Sequence, residues 1–135
     1  MQINPLRPLG LDHVVLRVRD MPLMIGFYEA VLGCRVERTT RGGLVQMRAG
    51  RSLIDLLPRD SGEDFKARGV MDHFCLALRT FDDAALRAHL AGHGVEILDS
   101  GVNYGADGNG PFLYIRDPEG NDVELKGPSA MPVAA

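Results

Sequence analysis

The chain has 135 residues, 45% of them hydrophobic and 24% charged, with a mean hydropathy of −0.05; that is enough apolar surface to pack a core, and it excludes disorder through the body of the sequence. A net charge of −3 and a pI near 5.7, with Lys and Arg scattered along the chain, exclude the basic footprint of a nucleic-acid binder. No stretch approaches the roughly 18 apolar residues of a membrane span, and the start, MQINPLRPLG, lacks the basic and apolar regions of a secretion signal, so a cytoplasmic protein is expected.

After an N-terminal extension, 1–10, the text LDHVVLRVRD alternates apolar and polar side chains from Leu11 and predicts a strand. Asp20 then stands as the N-cap of a helix that ends at Gly33, with Pro22 in a first turn where its missing N–H costs nothing. Leu23, Phe27 and Val31 recur at helical spacing and are expected to face the core. Three short strands follow, Arg35 to Thr40, Leu44 to Arg48 and Ser52 to Leu57, with Arg41-Gly42-Gly43 and Gly50-Arg51 as hairpin connections. Residues 11–60 thus read as one βαβββ module.

A charged, glycine-containing linker, 61–69, leads to MDHFCLALRT, which repeats the first strand: an apolar residue, Asp-His, then alternation. Thr80 with Asp83 approximates a capping box for a second helix, which ends at Gly92 and turns Phe81, Leu86 and Leu90 inward. Strands are predicted over Val95 to Asp99, Phe112 to Arg116 and Asp122 to Lys126. The stretch from Gly101 to Gly110 reads as a flexible loop able to cover a site, and Asp117-Pro118-Glu119-Gly120-Asn121 as a turn. Residues 70–126 form the second module and 127–135 a flexible tail.

A lone unit of under about 70 residues buries too little apolar surface, so the two modules must share one fold. The expected class is α+β: two βαβββ modules forming an open, barrel-like mixed sheet with helices on its outer face. Cys34 and Cys75, in no metal-binding spacing, read as small buried apolar side chains.

Alternation with period two sorts the strand residues by face. In the first strand His13, Val15 and Arg17 lie opposite Val14, Leu16 and Val18; in its repeat His73, Cys75 and Ala77 lie opposite Phe74, Leu76 and Leu78. Asp55 shares a face with Leu53 and Leu57, and Glu124 with Asp122 and Lys126. Each module thus offers a histidine and an acidic residue on the face away from its helix, and His13, His73, Glu124 and Asp55 are the candidate ligands of one divalent ion. Two imidazoles with one or two carboxylates suit Zn²⁺, Ni²⁺, Mn²⁺ or Fe²⁺ and leave coordination positions open. By the same alternation Arg48, Tyr114 and Arg116 face a substrate pocket, where arginine suits a carboxylate or phosphate, or else they stand at an exposed rim. His89 and His93, four residues apart near a helix end, read as a solvated helix surface.

The order and spacing of LDHVVLRVRD, FYEAVLG, SLIDLLP, MDHFCLAL and the closing YIRDPEGNDVEL resemble the vicinal oxygen chelate superfamily, which includes glyoxalase I, methylmalonyl-CoA epimerase, fosfomycin-resistance proteins and extradiol dioxygenases. The resemblance runs from Leu11 to Lys126. It implies paired βαβββ modules, commonly a homodimer, and a metal held by His13, His73 and Glu124. The fourth ligand of glyoxalase I, a Glu, is replaced by the shorter Asp55, which suits coordination through water or a role as a base. Glyoxalase-like chemistry would use Glu124 as the carboxylate base, with Asp55 second. The resemblance therefore implies a metal-dependent lyase or isomerase acting on a small oxygen-rich substrate. The alternatives are an extradiol-type dioxygenase, a fosfomycin-type addition enzyme and a non-catalytic drug-binding protein.

Overall fold

The computed structural model describes residues 11, 13–59, 71 and 73–129. The expected N-terminal extension and linker, and most of the expected tail, lie outside the described residues. The chain divides into two compact units, Met1–Asp60 and Ser61–Ala135.

The first unit runs β1 (His13–Val18), α1 (Met21–Ala30), β2 (Arg35–Thr39), β3 (Val45–Ala49) and β4 (Ser52–Pro58). Its sheet has the order β1-β4-β3-β2, with β1 parallel to β4 and the other pairs antiparallel. The second unit repeats the plan: β5 (Phe74–Ala77), α2 (Asp83–Gly92), β6 (Asp99–Gly105), β7 (Gly108–Arg116) and β8 (Asp122–Lys126), in the order β5-β8-β7-β6, again with the first and last strands parallel. Each unit is thus a βαβββ module around an open four-stranded sheet, and neither sheet closes on itself. A parallel neighbour cannot be reached by a tight hairpin, which is why a helix stands between the first strand and the three-stranded meander.

Register turns alternation into a core. Leu16 and Val18 on β1, Val45 and Met47 on β3, and Ile54 and Leu56 on β4 are all buried, and Leu16 pairs with Leu56, as Met47 does with Ile54. In the second unit Leu113 pairs with Leu125 and Ile115 with Val123, all four buried. One face of each sheet is therefore apolar, and the opposite face carries the polar side chains.

Asp20 caps α1, accepting from Leu23 N at 3.1 Å. The face that α1 buries is Met24 and Tyr28, one residue further round than the expected Leu23 and Phe27; Leu23 is 51% exposed. The helix is apolar nearly all round, so spacing alone does not select the stripe, and Tyr28 supplies the larger ring to the core. The N-cap of α2 is Asp82, accepting from Ala85 N at 3.1 Å, in place of Thr80. Phe81 precedes that cap and so stays outside the helix, its side chain close to Gly127, where a Cβ would collide with it.

The expected loop from Gly101 to Gly110 is a β-hairpin formed by β6 and β7, with Ala106-Asp107 at its turn, and the strand expected over 95–99 begins only at Asp99. The glycines there make room. A Cβ at Gly105 would lie 2.6 Å from Lys126 Cε, and one at Gly110 would lie 2.9 Å from Lys126 Nζ, so the lysine lies buried against the hairpin and donates to Gly108 O at 3.0 Å. Cys34 is buried as expected, whereas Cys75 is exposed on the polar face of β5.

Two measurements check this packing. Met24→Ala is expected to cost about 2–5 kcal/mol of unfolding free energy and Leu23→Ala less than about 1 kcal/mol, read from urea denaturation. Burial pushes the Cys34 thiol from 9.0 up to about 11. The unfolded chain therefore loses this proton first, and the stability that the neutral thiol contributes below pH 9 is lost as pH rises towards 11. Wild type should lose about 2–3 kcal/mol more than Cys34→Ala across that interval.

Candidate functional site

On the polar face of the first unit, His13 sits across from Leu53 on β4, and Val15 across from Asp55. Asp55 is buried, and its carboxylate meets the Gln46 amide: Nε2 lies 3.3 Å from Oδ1 and 3.2 Å from Oδ2. Gln46 is in turn fixed by Arg38, whose Nε donates to its Oε1. Arg38 reaches that position through a bulge in β2: Val36 pairs with Met47, and Arg38, two residues on, pairs with Gln46. The extra residue, Glu37, also reaches the polar face, where it takes Arg48 in a two-pronged ion pair at 2.9 and 2.7 Å. The same Arg48 holds the Glu37 carboxyl below its usual value.

The second unit builds a tighter cluster at the matching place. Glu124 is 5% exposed, and both its oxygens are engaged: Tyr114 donates its hydroxyl to Oε1 at 2.9 Å, and Asn103 donates Nδ2 to Oε2 at 2.9 Å. His73 Nε2 lies 3.0 Å from the Tyr114 hydroxyl and 3.4 Å from Glu124 Oε1, with the two rings edge to face. Cys75 is the register partner of Glu124 on β5. Partial loss of solvation, then the Glu124 carboxylate, push its thiol up to about 11, so it is a thiol rather than a thiolate at neutral pH.

The correspondence between the units is residue by residue. The carboxylate of the last strand is hydrogen-bonded from the adjacent antiparallel strand, by Gln46 in one unit and by Tyr114 in the other. Arg48 and Arg116 occupy equivalent positions, Arg116 bonded to Asp122 at 2.8 Å. Each of these arginines is thus already paired with a carboxylate of its own unit. Among the described residues no group of three or more His, Cys, Asp or Glu side chains that could hold a metal ion is found. His89 and His93 stack edge to face on the exposed end of α2, 4.8 Å between centroids.

Two members of this constellation were not legible as such from the sequence. Asn103 fell in a stretch read as a loop, although alternation from Asp99 through Gly101 places it on the same face as Tyr114 and Glu124. Arg38 is invisible to a period-two count because the bulge shifts it by one.

The glyoxalase/bleomycin resistance protein/dioxygenase superfamily pattern matches residues 10–125. A glyoxalase domain-containing protein of Mycosarcoma maydis is 29% identical over 122 residues, covering 86% of this chain, which spans 66% of that protein's length. A virulence protein of Salmonella typhimurium is 30% identical over 120 residues, covering 85% of this chain and 81% of that protein. Its crystal structure superposes with a TM-score of 0.70 over 96% of this chain and 100% of the other, at 26% identity. An integron cassette protein from the mobile metagenome of V. cholerae also gives a TM-score of 0.70, at 29% identity over 96% of this chain and 98% of its own. No described helix is long and apolar enough to cross a membrane. With the family pattern spanning both βαβββ units, the chain belongs to the glyoxalase/bleomycin resistance protein/dioxygenase superfamily.

Proposed function

We propose that the chain is a metal-dependent lyase or isomerase of the glyoxalase-like kind, acting on a small oxygen-rich substrate, in which His13, His73 and Glu124 hold one divalent ion with Asp55 beside it. The observation that carries this reading is the cluster formed by His73, just before β5, with β7 and β8: an imidazole nitrogen 3.4 Å from the oxygen of a buried carboxylate. A nitrogen and a carboxylate oxygen set side by side are a donor pair suited to a borderline divalent ion. Among the described residues no Lys or Arg is paired with Glu124 or Asp55, so a cation would also answer the burial of their charge.

When bound, the ion supplies Lewis acidity that stabilises negative charge on a substrate oxygen. The chain's own residues divide the remaining work. Glu124 is the fixed ligand, since both its oxygens are already oriented by Tyr114 and Asn103. Among the described residues Asp55 is the freer of the two carboxylates, touched by one amide at 3.2 and 3.3 Å. Asp55, expected from the sequence to stand second to Glu124 as the base, would take the proton from the carbon beside the polarised carbonyl and return it to the carbonyl carbon, the hydroxyl proton passing to the carbonyl oxygen. Arg38 and Gln46 keep the Asp55 carboxylate aimed. A homodimer is the assembly proposed, because each open sheet leaves short edge strands suited to two-fold pairing.

Metal analysis of protein purified without chelator should find about one ion per chain, removed by His13→Ala and by His73→Ala, with light scattering giving twice the 14.7 kDa of the chain. Full metal in both variants overturns the ligand set, and a monomeric mass at micromolar concentration overturns the dimer. For the reaction, one preparation loaded with Zn²⁺, Ni²⁺, Mn²⁺ or Fe²⁺ is assayed on methylglyoxal–glutathione hemithioacetal, on fosfomycin with thiols, and on catechols under air. Asp55→Asn should lower kcat on the hemithioacetal or another α-hydroxycarbonyl by about 100-fold or more while metal content holds. Oxygen uptake with a catechol replaces the isomerase with a dioxygenase, and tight binding without turnover replaces both with a binding protein.

A further inference from the structure

The helix α2 ends on two histidines that the candidate metal centre does not use. His89 lies in the last turn and His93 is the C-cap, four residues on, so the two side chains leave the same face of the helix one turn apart. His93 keeps that place because its N–H still reaches His89 O and Leu90 O, at 3.3 and 3.1 Å, and Gly94, at φ +70°, turns the chain away only after it. Both histidines are exposed. The helix carries none of His13, His73, Glu124 or Asp55.

The spacing of the two rings is that of a chelate. An imidazole nitrogen binds a borderline divalent ion at about 2.0–2.1 Å, which puts the ion about 3.2 Å from the centroid of the ring. Two rings bound to one ion at neighbouring coordination positions, about 90–110° apart, therefore have centroids about 4.5–5.2 Å apart. The His89 and His93 centroids are 4.8 Å apart, with 64° between the ring planes. Backbone and centroid spacing thus meet the requirement, and rotation of the rings about their own side-chain bonds is what remains to aim two nitrogens at one point. The helix adds to this, because a cation at its C-terminus faces the negative end of the peptide dipoles.

We infer that His89 and His93 form a second metal site, independent of the centre proposed above: a two-imidazole chelate for Cu²⁺, Ni²⁺ or Zn²⁺ on the exposed surface of α2. Imidazole suits all three ions, Cu²⁺ most tightly by the general order of divalent affinities, whereas Mg²⁺ and Ca²⁺ call for oxygen donors that the pair does not supply. Two protein ligands leave the other coordination positions to water, so the ion is held reversibly and stays open to a donor from a second molecule.

The test follows the amide signals of the full, isotope-labelled chain by two-dimensional NMR during titration with Ni²⁺, chosen because Cu²⁺ would oxidise the exposed Cys75 thiol. Signals from Leu86 to Val95 report this site, and those around His73 and Glu124 report the other centre in the same sample. In the wild type the α2 signals should broaden together at one Ni²⁺ concentration. His89→Ala and His93→Asn should each raise that concentration roughly 10- to 100-fold, the size of a coupling between two groups that hold one ion. Asparagine is at home near helix C-termini, so the second variant keeps the end of α2 intact, which an unchanged pattern of signals before Ni²⁺ is added checks for both. No response of α2 in the wild type, or a response that either single substitution leaves at the same concentration, overturns the site. Neither result depends on whether the signals around Glu124 respond.

Discussion

The parallel pairing of the first and last strand in each unit is the constraint on which everything else depends. It commits the chain to a helix between them, because no short turn joins parallel neighbours. It also fixes which side chains stand together. Val15 is opposite Asp55 and Cys75 opposite Glu124, so a histidine two positions before each of those strand residues shares a face with the acidic side chain of the partner strand. A slip of one residue in either ladder would send the carboxylate into the apolar layer among Leu16 and Met47, or among Leu113 and Ile115. The same rows that bury the core therefore position the polar face, and stability and chemistry are set by one register.

Most of that register was legible in the letters. The repeated Asp-His text and the alternation that follows it determine two like strands, and the limits of β8 agree with the alternation of Asp122 to Lys126. What escaped are the places where the physics is not periodic. α1 is apolar on nearly every side, so only three-dimensional packing selects Met24 and Tyr28 over Leu23 and Phe27. The glycines from Gly101 to Gly110 suggested freedom, whereas several of them let the buried Lys126 side chain pass close to the hairpin backbone. In composition a glycine that permits motion and a glycine that permits contact look the same.

The polar faces show how a repeated plan diverges. Equivalent positions carry Gln46 and Tyr114, each bonded to the carboxylate of the next strand, and Arg48 and Arg116, each paired to an acid of its own unit. In one half a line of bonds runs from Arg38 through Gln46 to Asp55. The other is held by a tyrosine and an asparagine around Glu124 and His73. The first surrounds its carboxylate with an amide and a guanidinium, and the second sets a hydroxyl, an amide and an imidazole around its own.

The bulge in β2 constrains the sequence in a way that its individual residues do not. Because one surplus residue lies between Val36 and Arg38, the guanidinium arrives on the side of Gln46, and Glu37 is left beside Arg48. Changing the letters of this strand would weaken single bonds. Deleting the surplus Glu37 would straighten the ladder and leave Arg38 opposite Gln46, but it would take from Arg48 the carboxylate that holds it. Along this edge strand one surplus residue thus brings two neighbouring charged side chains to the same face, which strict alternation would have sent to opposite ones.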